Sequence, residues 1–573
     1  MQNFLFNTIR VRKRKHNKFN LSHDVKLSMK MAELVPIFCQ DVIPGDVFKL
    51  NTEILMRFAP LIAPVMHRVN VYTHYFFVPK RLVWSKWEDF ITGGEKGDQN
   101  PSYPRFAIDP KNLNLHFGIG TLADYLGFPV AGGDNRLDPG NLNGEYDERH
   151  RLVIDALPFK AYQLIYNEYY RDQNLSDALD LFLDDEGIVP ITRKNGPLLF
   201  LQRRAWMKDY FTSALPFAQR GEPVRLPLMG EAEVFSKMDS VFNPYGLDND
   251  LMPLTGAMSS GVYRTQTGKV PENGGNLTVD GDGTVQVNGE NVTIAGGSSI
   301  NVNQLAGQLG VDLSTVSSAT IVEFRNALKA QEYLETIARS GSRYKEFIEG
   351  MFPVKTSDAR LQRPEYLGGG KQPVVISDVM QTSQTTAGNP LGTPGGAAAS
   401  LGKTHSFRRK FNEYGYIIGI MSVLPNPAYQ QGMPRQFMKF DRYDHYLPMF
   451  ANIGEQEVDT RELYFDPFTQ DYDHERNPLL FGYAPRYAEY KFINSSVHGD
   501  FRDSLKFWHL GRIFDSQPVL NENFVECHPS ERIFAVDKDE NGQSADDFDK
   551  LWVNIHHNCT ALRVMPKYGN PGL

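Results

Sequence analysis

The sequence predicts a mainly β protein in which one sheet domain is closed by segments from both ends of the chain. Short apolar segments, many of them alternating with polar residues and broken by Pro and Gly, occur before residue 80 and again after residue 413. Helical patterns and long polar stretches lie between them. The chain has 573 residues, 41% of them hydrophobic and 12% aromatic, which is sufficient for one large core. A single domain with long insertions explains this order better than several domains in a row.

The first strands are expected shortly after Ala32, where ordered structure should begin. Residues 35–38 and 47–58 have the composition of strands, and the turn between them, at 43–46, contains Pro and Gly. Residues 69–79 alternate along a strand that ends at a proline. Both faces of that strand are largely apolar, as expected for a strand inside a packed sandwich.

The middle of the chain combines helices with a polar insertion. Residues 160–174 place several tyrosines on one helical face, and residues 320–340 carry an apolar stripe that ends before Gly341. Residues 264–318 contain ten glycines and no aromatic residue, which indicates a separate, exposed insertion. Within it, Asn288 and Gly289 stand between two alternating segments and predict a β-hairpin.

Strand patterns return in the last third of the chain. They cover residues 414–424, 483–492 and 551–564. Residues 382–403 contain five glycines and a single charge, and this composition predicts a second flexible stretch.

Composition excludes several classes of protein. Glycine and proline make up 83 residues, too few for a disordered chain of this length. No apolar run approaches the ~18 residues needed to span a bilayer, and the first residues lack the apolar core of a signal peptide. The three cysteines (Cys39, Cys527 and Cys559) cannot form a disulfide framework and fit a reducing cytoplasm.

Residues 395–404 partly match a phosphate-binding loop. Gly402, Lys403 and Thr404 fit the end of the motif, but Ala397 stands where its first glycine is required. The preceding strand and following helix that such a loop needs are also missing from the sequence pattern. A flexible loop is therefore the preferred interpretation.

No other pattern nominates a catalytic, cofactor-binding or metal-binding residue. His556, His557 and Cys559 lack a second ligand pair at zinc spacing, and buried or rim histidines on a strand are expected instead. Residues 280–284 resemble the start of a calcium loop, but Asn291 replaces the closing glutamate, which favours a hairpin turn. The sequence does not predict an enzyme.

Charge is distributed unevenly along the chain. Residues 1–30 carry eight basic side chains and one acidic side chain, a net charge of +7, whereas the whole chain has −8. Residues 31–573 therefore total −15. A dense cationic segment binds polyphosphate without base specificity, and this leader gives the candidate nucleic-acid-binding residues Arg10, Arg12, Lys13, Arg14, Lys15 and Lys18. The alternative is a solvated tail without a function.

Several longer motifs are spread along the chain. The first block is nearly continuous and comprises residues 42–48, 57–60, 63–69 and 76–87. Further motifs follow at residues 336–344, 363–369, 381–383, 413–419, 429–432 and 481–490. In sequence and in order, these motifs resemble those of one viral family, the major capsid proteins of the microviruses, and most closely its gokushovirus branch. Residues 228–318 match only by position.

The resemblance implies a fold and an assembly. The fold is an eight-stranded antiparallel jelly roll of viral capsid type, with long insertions that contain helices and a β-rich surface protrusion. It would occupy residues 32–573, with a basic arm over residues 1–31 on the inner face and a variable insertion over 228–318 at the threefold axes. Sixty copies, arranged through pentamers, would form a T=1 shell around a circular single-stranded DNA genome.

The resemblance also implies partners and a location. They are a small basic DNA-packaging protein of the virion and a host-surface receptor, and the chain would be found in the virion after assembly in the bacterial cytoplasm. Two other interpretations stay open from the residues alone. One is a β-rich host-surface binding protein, and the other is an enzyme, either an NTPase that uses Lys403 or a glycan-active enzyme.

Overall fold

A computed structural model describes most of the chain. The described residues are 16–108, 113–131, 152–183, 186–222, 224, seven short strands between 233 and 312, 321–341, 343–352, 355, 357–380, 394–403, 406–465, 480–535 and 548–568. The chain divides into two compact units, one of Met1–Arg220 with Glu335–Leu573 and one of Gly221–Leu334. The second unit includes residues 228–318 of the predicted insertion.

The described strands are, in chain order, β1 (Asn17–Asn20), β2 (His23–Met29), β3 (Val35–Val42), β4 (Val47–Phe58), β5 (Val69–Pro79), β6 (Arg105–Ile108), β7 (Leu152–Asp155), β8 (Ile188–Pro190), β9 (Glu233–Ser236), β10 (Met252–Pro253), β11 (Arg264–Thr265), β12 (Leu277–Val279), β13 (Val285–Val287), β14 (Glu290–Thr293), β15 (Leu309–Asp312), β16 (Glu365–Pro373), β17 (Val375–Met380), β18 (Pro394–Lys403), β19 (Phe407–Lys410), β20 (Gly415–Pro425), β21 (Glu455–Asp459), β22 (Leu480–Pro485) and β23 (Leu551–Arg563).

The described α-helices are α1 (Trp87–Thr92), α2 (Leu113–Phe117), α3 (Leu122–Tyr125), α4 (Leu157–Ile165), α5 (Ile321–Ser340), α6 (Tyr344–Met351) and α7 (Glu522–Val525). None of the helices in the described ranges is long and apolar enough to cross a membrane.

Two antiparallel sheets dominate the first unit. The large sheet has the strand order β1-β23-β4-β18-β17, with β2 also paired to β23 and β19 also paired to β4. The small sheet has the order β16-β5-β20-β3. Smaller sheets join β7, β6 and β8, and β21 with β22. The first unit is therefore mainly β with several antiparallel sheets, in agreement with the fold class that the resemblance implies.

The small sheet lies between two apolar cores. Phe77 and Ile417 point to one side and pack with Phe48 and Ile555 of the large sheet. Neighbouring residues of the same strands point to the other side, where Ile418 packs in a second core that includes α4. This explains why β5 and β20 are apolar on both faces, whereas β4 alternates between buried and exposed side chains.

The strongest sequence patterns are confirmed. The predicted strands at 47–58, 69–79, 414–424 and 551–564 correspond to β4, β5, β20 and β23, and the predicted helix at 320–340 corresponds to α5. In the second unit, Val287 pairs with Glu290 in an antiparallel hairpin, as predicted, although the two turn residues lie outside the described residues. The calcium-like residues 280–284 also lie outside them.

The expectation that ordered structure begins near Ala32 is wrong. Asn17–Asn20 and His23–Met29 are strands that pair with β23. The reason is an alternation within the leader, because Leu27 and Met29 turn towards the core while Lys26 stays exposed. High charge density conceals this pattern in the sequence.

The predicted flexible stretch at 382–403 is also wrong at its end. Residues 394–403 form β18, which pairs with both β4 and β17. A Cβ atom at Gly396 would lie 2.5 Å from the carbonyl oxygen of Ala63, so this small residue permits a close approach of two backbones. Gly396 therefore reflects tight packing instead of flexibility.

Two further boundaries differ from the sequence prediction. The helix predicted at 160–174 begins earlier, with α4, and ends in a wider π-helical turn over Tyr166–Tyr170. The strand predicted at 483–492 is only partly a strand, since β22 ends at Pro485 and a 3₁₀ turn follows at Ala488–Tyr490.

Candidate nucleic-acid interface

One face of the large sheet points away from the core, and we call it the solvent face. The strand registers place its side chains in rows that cross the sheet. One row contains Ser28, Trp552, Arg57 and Ala399, and the next contains Lys26, Asn554, Leu55 and Leu401. A third row contains Asp24, His556, Glu53 and Lys403. Residues far apart in the sequence thus become neighbours.

The solvent face carries an excess of positive charge. Its basic side chains are Lys18, Lys26, Lys49, Arg57, Lys403, Arg408 and Lys410, and its acidic side chains are Asp24 and Glu53. The strands of the small sheet, by contrast, contain one lysine (Lys371) and two acids (Asp41 and Glu365). Of the strands of the two main sheets, those of the large sheet therefore carry most of the positive charge, although the net charge of the chain is −8.

Both acids of the solvent face have a basic partner. Lys403 Nζ lies 2.7 Å from Glu53 Oε1, and His556 Nδ1 lies 2.6 Å from Asp24 Oδ1. Lys403 lowers the pKa of Glu53 through this hydrogen bond and its charge. No ion pair within the described ranges involves the remaining six cations of the face. A polyanion on this face would therefore meet those six side chains first.

The predicted leader residues lie mostly outside the described residues. Arg10, Arg12, Lys13, Arg14 and Lys15 are among them. Lys18 is described, and it is exposed on β1 opposite Leu562. Its row continues through Val47 to Lys410. The leader thus joins the large sheet beside a cationic part of the solvent face.

Sequence reasoning missed the other cations of this face. Lys26, Lys49, Arg57, Arg408 and Lys410 are spread over almost 400 positions and form no cluster in the sequence. The sequence did contain one signal that these cations are exposed. Buried and exposed residues alternate along a strand, and each of these side chains stands next to a residue that turns inwards. Which strands are neighbours follows only from the fold.

The histidines of β23 have different environments, as the strand interpretation predicts. His556 lies on the solvent face, whereas His557 is buried between the two sheets. His557 Nε2 lies 2.9 Å from the carbonyl oxygen of Ile37, and its Nδ1 lies 3.0 Å from Thr52 Oγ1. Tyr75 extends the network by donating a hydrogen bond of 2.6 Å to Thr52.

Burial lowers the pKa of His557 to about 4. The neutral ring can donate from Nε2 to Ile37 and accept at Nδ1 from Thr52, so this network connects strands of both sheets without a charge. Cys559 is buried on the same side of β23 and burial raises its pKa to about 11. These side chains stabilise the interior, and the described residues contain no group of three or more His, Cys, Asp or Glu side chains that could hold a metal ion.

The partial phosphate-binding motif has the wrong geometry. Lys403 is the last residue of β18 and pairs in register with Glu53. A phosphate-binding loop instead lies between a strand and a helix, with its backbone amides free to surround the phosphates. Since the amides of β18 lie in a sheet between β4 and β17, the NTPase interpretation is wrong.

Comparisons with known proteins agree over nearly the whole chain. The family model described as capsid protein (F protein) matches residues 7–573. Capsid protein VP1 of Chlamydia phage 1 is 33% identical, with 98% of this chain and 96% of the relative covered. Capsid protein VP1 of Bdellovibrio phage phiMH2K is 32% identical (97% and 95% covered), and that of Spiroplasma virus 4 is 30% identical (97% and 95%). The predicted resemblance is confirmed, and the chain belongs to the phage capsid protein (F protein) family, in which its role is structural and not enzymatic.

Proposed function

We propose that the first unit is an eight-stranded antiparallel jelly roll. Its strands would be β2, β3, β4, β5, β16, β18, β20 and β23. They occur in the orders β2-β23-β4-β18 and β3-β20-β5-β16 in the two sheets. Consecutive strands of this set lie in different sheets, except β5 and β16, which both lie in the small sheet. This order of two facing four-stranded sheets is what a jelly roll requires, and β1, β17 and β19 extend the large sheet.

Sixty copies of this chain assemble, in this proposal, through pentamers into a T=1 shell around a circular single-stranded DNA genome. The observation that carries it is a set of exposed apolar side chains in two adjacent segments. Phe440 is 88% exposed, Met449 80% and Ile493 98%. The segments are joined by Tyr446, whose ring packs against Tyr487 and Tyr490. An apolar surface of this kind marks a protein–protein contact.

Self-assembly of the full chain tests this proposal. Electron microscopy and sedimentation velocity should show closed shells, since heterologous contacts that close give defined particles and not fibres. Phe440→Ser and Ile493→Ser should shift the chain to small oligomers while its thermal unfolding is unchanged. Ile119→Ser, at an exposed apolar residue in a different segment, is the matched control. A full chain that stays monomeric, or a Phe440→Ser Ile493→Ser variant that assembles normally, would contradict the proposal.

The basic leader faces inwards and contacts the packaged DNA, together with the small basic packaging protein of the virion. Support comes from its charge and from its entry into the sheet at Lys18, beside other cations of the solvent face. Deletion of residues 1–15 leaves β1 intact and should reduce the DNA content of assembled particles. Unchanged DNA content would refute this role.

Residues 228–318 form the surface protrusion and contact the host receptor, and the chain resides in the virion after assembly in the bacterial cytoplasm. Support comes from the second unit, Gly221–Leu334, which contains all of these residues. Particles that lack residues 228–318 should assemble but adsorb poorly to host cells. Normal adsorption would refute the attachment role.

A further inference from the structure

We propose that Trp552, Arg57 and Lys26 form a binding site for single-stranded DNA on the solvent face, with the indole ring as a stacking platform for a base. This inference rests on the proposed enclosure of single-stranded DNA. It deepens that function by naming the side of the subunit, and the residues, that meet the genome. The leader alone gave no such site.

The three side chains are neighbours by strand register. Trp552 of β23 lies directly opposite Arg57 of β4 and opposite Ser28 of β2, and Lys26 belongs to the next row. Together with Leu55 and Asn554 they line a shallow groove of about 470 Å³. A groove lined by an indole ring and two cations has the chemistry that binds a nucleotide.

Trp552 is an unusual residue for this position. It is 47% exposed, and on the same face Leu55 is 37% and Leu401 80% exposed. Of the other tryptophans, Trp84, Trp87 and Trp206 are buried in the cores and Trp508 is half-buried. A large aromatic side chain on a cationic surface is the arrangement by which proteins stack bases without reading their sequence.

The charges around the groove favour a polyanion as its ligand. Neither the Trp552 row nor the Lys26 row contains a carboxylate among its strand residues, and no ion pair in the described part of the chain involves Arg57 or Lys26. The nearest acids on the sheet, Asp24 and Glu53, already pair with His556 and Lys403. One further acid, Asp549, accepts a hydrogen bond from Ser28 at the end of the first row.

This surface favours DNA over a second copy of the chain. Another copy of the chain resembles DNA in being acidic on average, because residues 31–573 have a net charge of −15. The apolar contact surface of such a copy, however, offers no phosphates to Arg57 and Lys26. DNA supplies both a base for the indole and phosphates for Arg57 and Lys26. The same face continues to Lys49, Arg408 and the point where the leader enters.

Photochemical crosslinking of the full chain tests the site directly. The probe is a short oligodeoxythymidine that carries one 5-iododeoxyuridine, which crosslinks to a stacked aromatic ring on irradiation. Mass spectrometry of the wild-type chain should locate the crosslink at Trp552. Trp552→Ala should lose it, while Phe182→Ala, at an exposed aromatic residue outside both sheets, should keep it.

Affinity for the oligodeoxythymidine provides a second readout. Trp552→Ala should weaken binding by about 5- to 150-fold, and Trp552→Phe should restore most of the affinity because it keeps an aromatic face. Arg57→Gln should lower the slope of log affinity against log salt by about 0.7, the value for one lost phosphate contact to a single strand. Circular dichroism and thermal unfolding verify that each variant is folded.

Three outcomes separate the inference from the proposed function. A Trp552→Ala chain that keeps its affinity and crosslinks elsewhere overturns the inference. A Trp552→Ala chain that binds DNA normally but no longer assembles also overturns it, because a second copy is then the occupant. Wild-type chain that crosslinks at Trp552 but never forms closed particles supports the site and refutes the proposed shell.

Discussion

Acidification should destabilise the sandwich through His557. Burial lowers the pKa of this histidine from 6.5 to about 4 in the folded chain. The folded state therefore keeps a neutral ring at a pH where the unfolded state binds a proton, so the stability contribution is complete above about pH 6.5 and is lost as the pH falls towards 4. Between pH 7 and pH 5 this one group should reduce the free energy of unfolding by about 2 kcal/mol.

Equilibrium urea unfolding of unassembled chain at the two pH values measures this effect. His557→Gln cannot titrate, so the difference in unfolding free energy between pH 7 and pH 5 should shrink by about 2 kcal/mol. The variant should also lose about 1–3 kcal/mol at pH 7, because the network of Thr52 and Ile37 is left incompletely bonded.

His74 offers an independent comparison in the same experiment. Burial also lowers its pKa to about 4, and its Nδ1 lies 2.7 Å from the hydroxyl of Tyr170. His74→Gln should remove a similar share of the pH dependence, and the double variant with His557→Gln should remove both. If His557→Gln unfolds with the full pH dependence of the wild type, His557 is not held neutral between the sheets and the reasoning is refuted.

Two further predictions concern packing and thiol chemistry. Gly396→Ala should destabilise the chain by about 1–3 kcal/mol and lower the melting temperature, because its Cβ atom meets the carbonyl oxygen of Ala63 at 2.5 Å. Gly395→Ala is the matched control, since its nearest contact would be 3.5 Å, and equal destabilisation of both would contradict the argument. Cys559, fully buried with a pKa of about 11, should react with a thiol reagent at pH 8 only after unfolding. Rapid labelling of Cys559 in the native chain would show that β23 is not packed as described.

Local patterns predicted the strands whose own residues show which of their faces are buried. β4 alternates strictly, and β5 and β20 are apolar on both faces, so their sequences indicate burial without knowledge of neighbours. β18 was missed because its small residues resemble a flexible stretch, whereas Gly396 permits a close approach to the backbone of Ala63. β2 was missed because its exposed lysine and aspartate obscure the inward residues.

The candidate interface was predictable only in part, for a related reason. The leader contains a dense run of charge, and Lys18 in it lies exposed on the solvent face, while its role in binding DNA stays a prediction. Arg57 and Trp552 are each unremarkable in the sequence and are separated by almost 500 residues. Only the pairing of β4 with β23 places them side by side. The local sequence predicts which segments form strands, whereas the register between strands decides which side chains share a binding surface.

The position of β23 has a consequence for the timing of synthesis. This strand pairs along the whole of β4 and also holds β1 and β2, yet the ribosome makes it roughly 490 residues after β4. At typical translation rates that delay is roughly 25–100 s. Until then β4 has an unsatisfied edge on one side, and a nascent subunit cannot complete its large sheet. Pairings of such sequence separation also fold slowly. Incomplete chains therefore lack a finished sheet, and subunits become competent for assembly only after the end of translation.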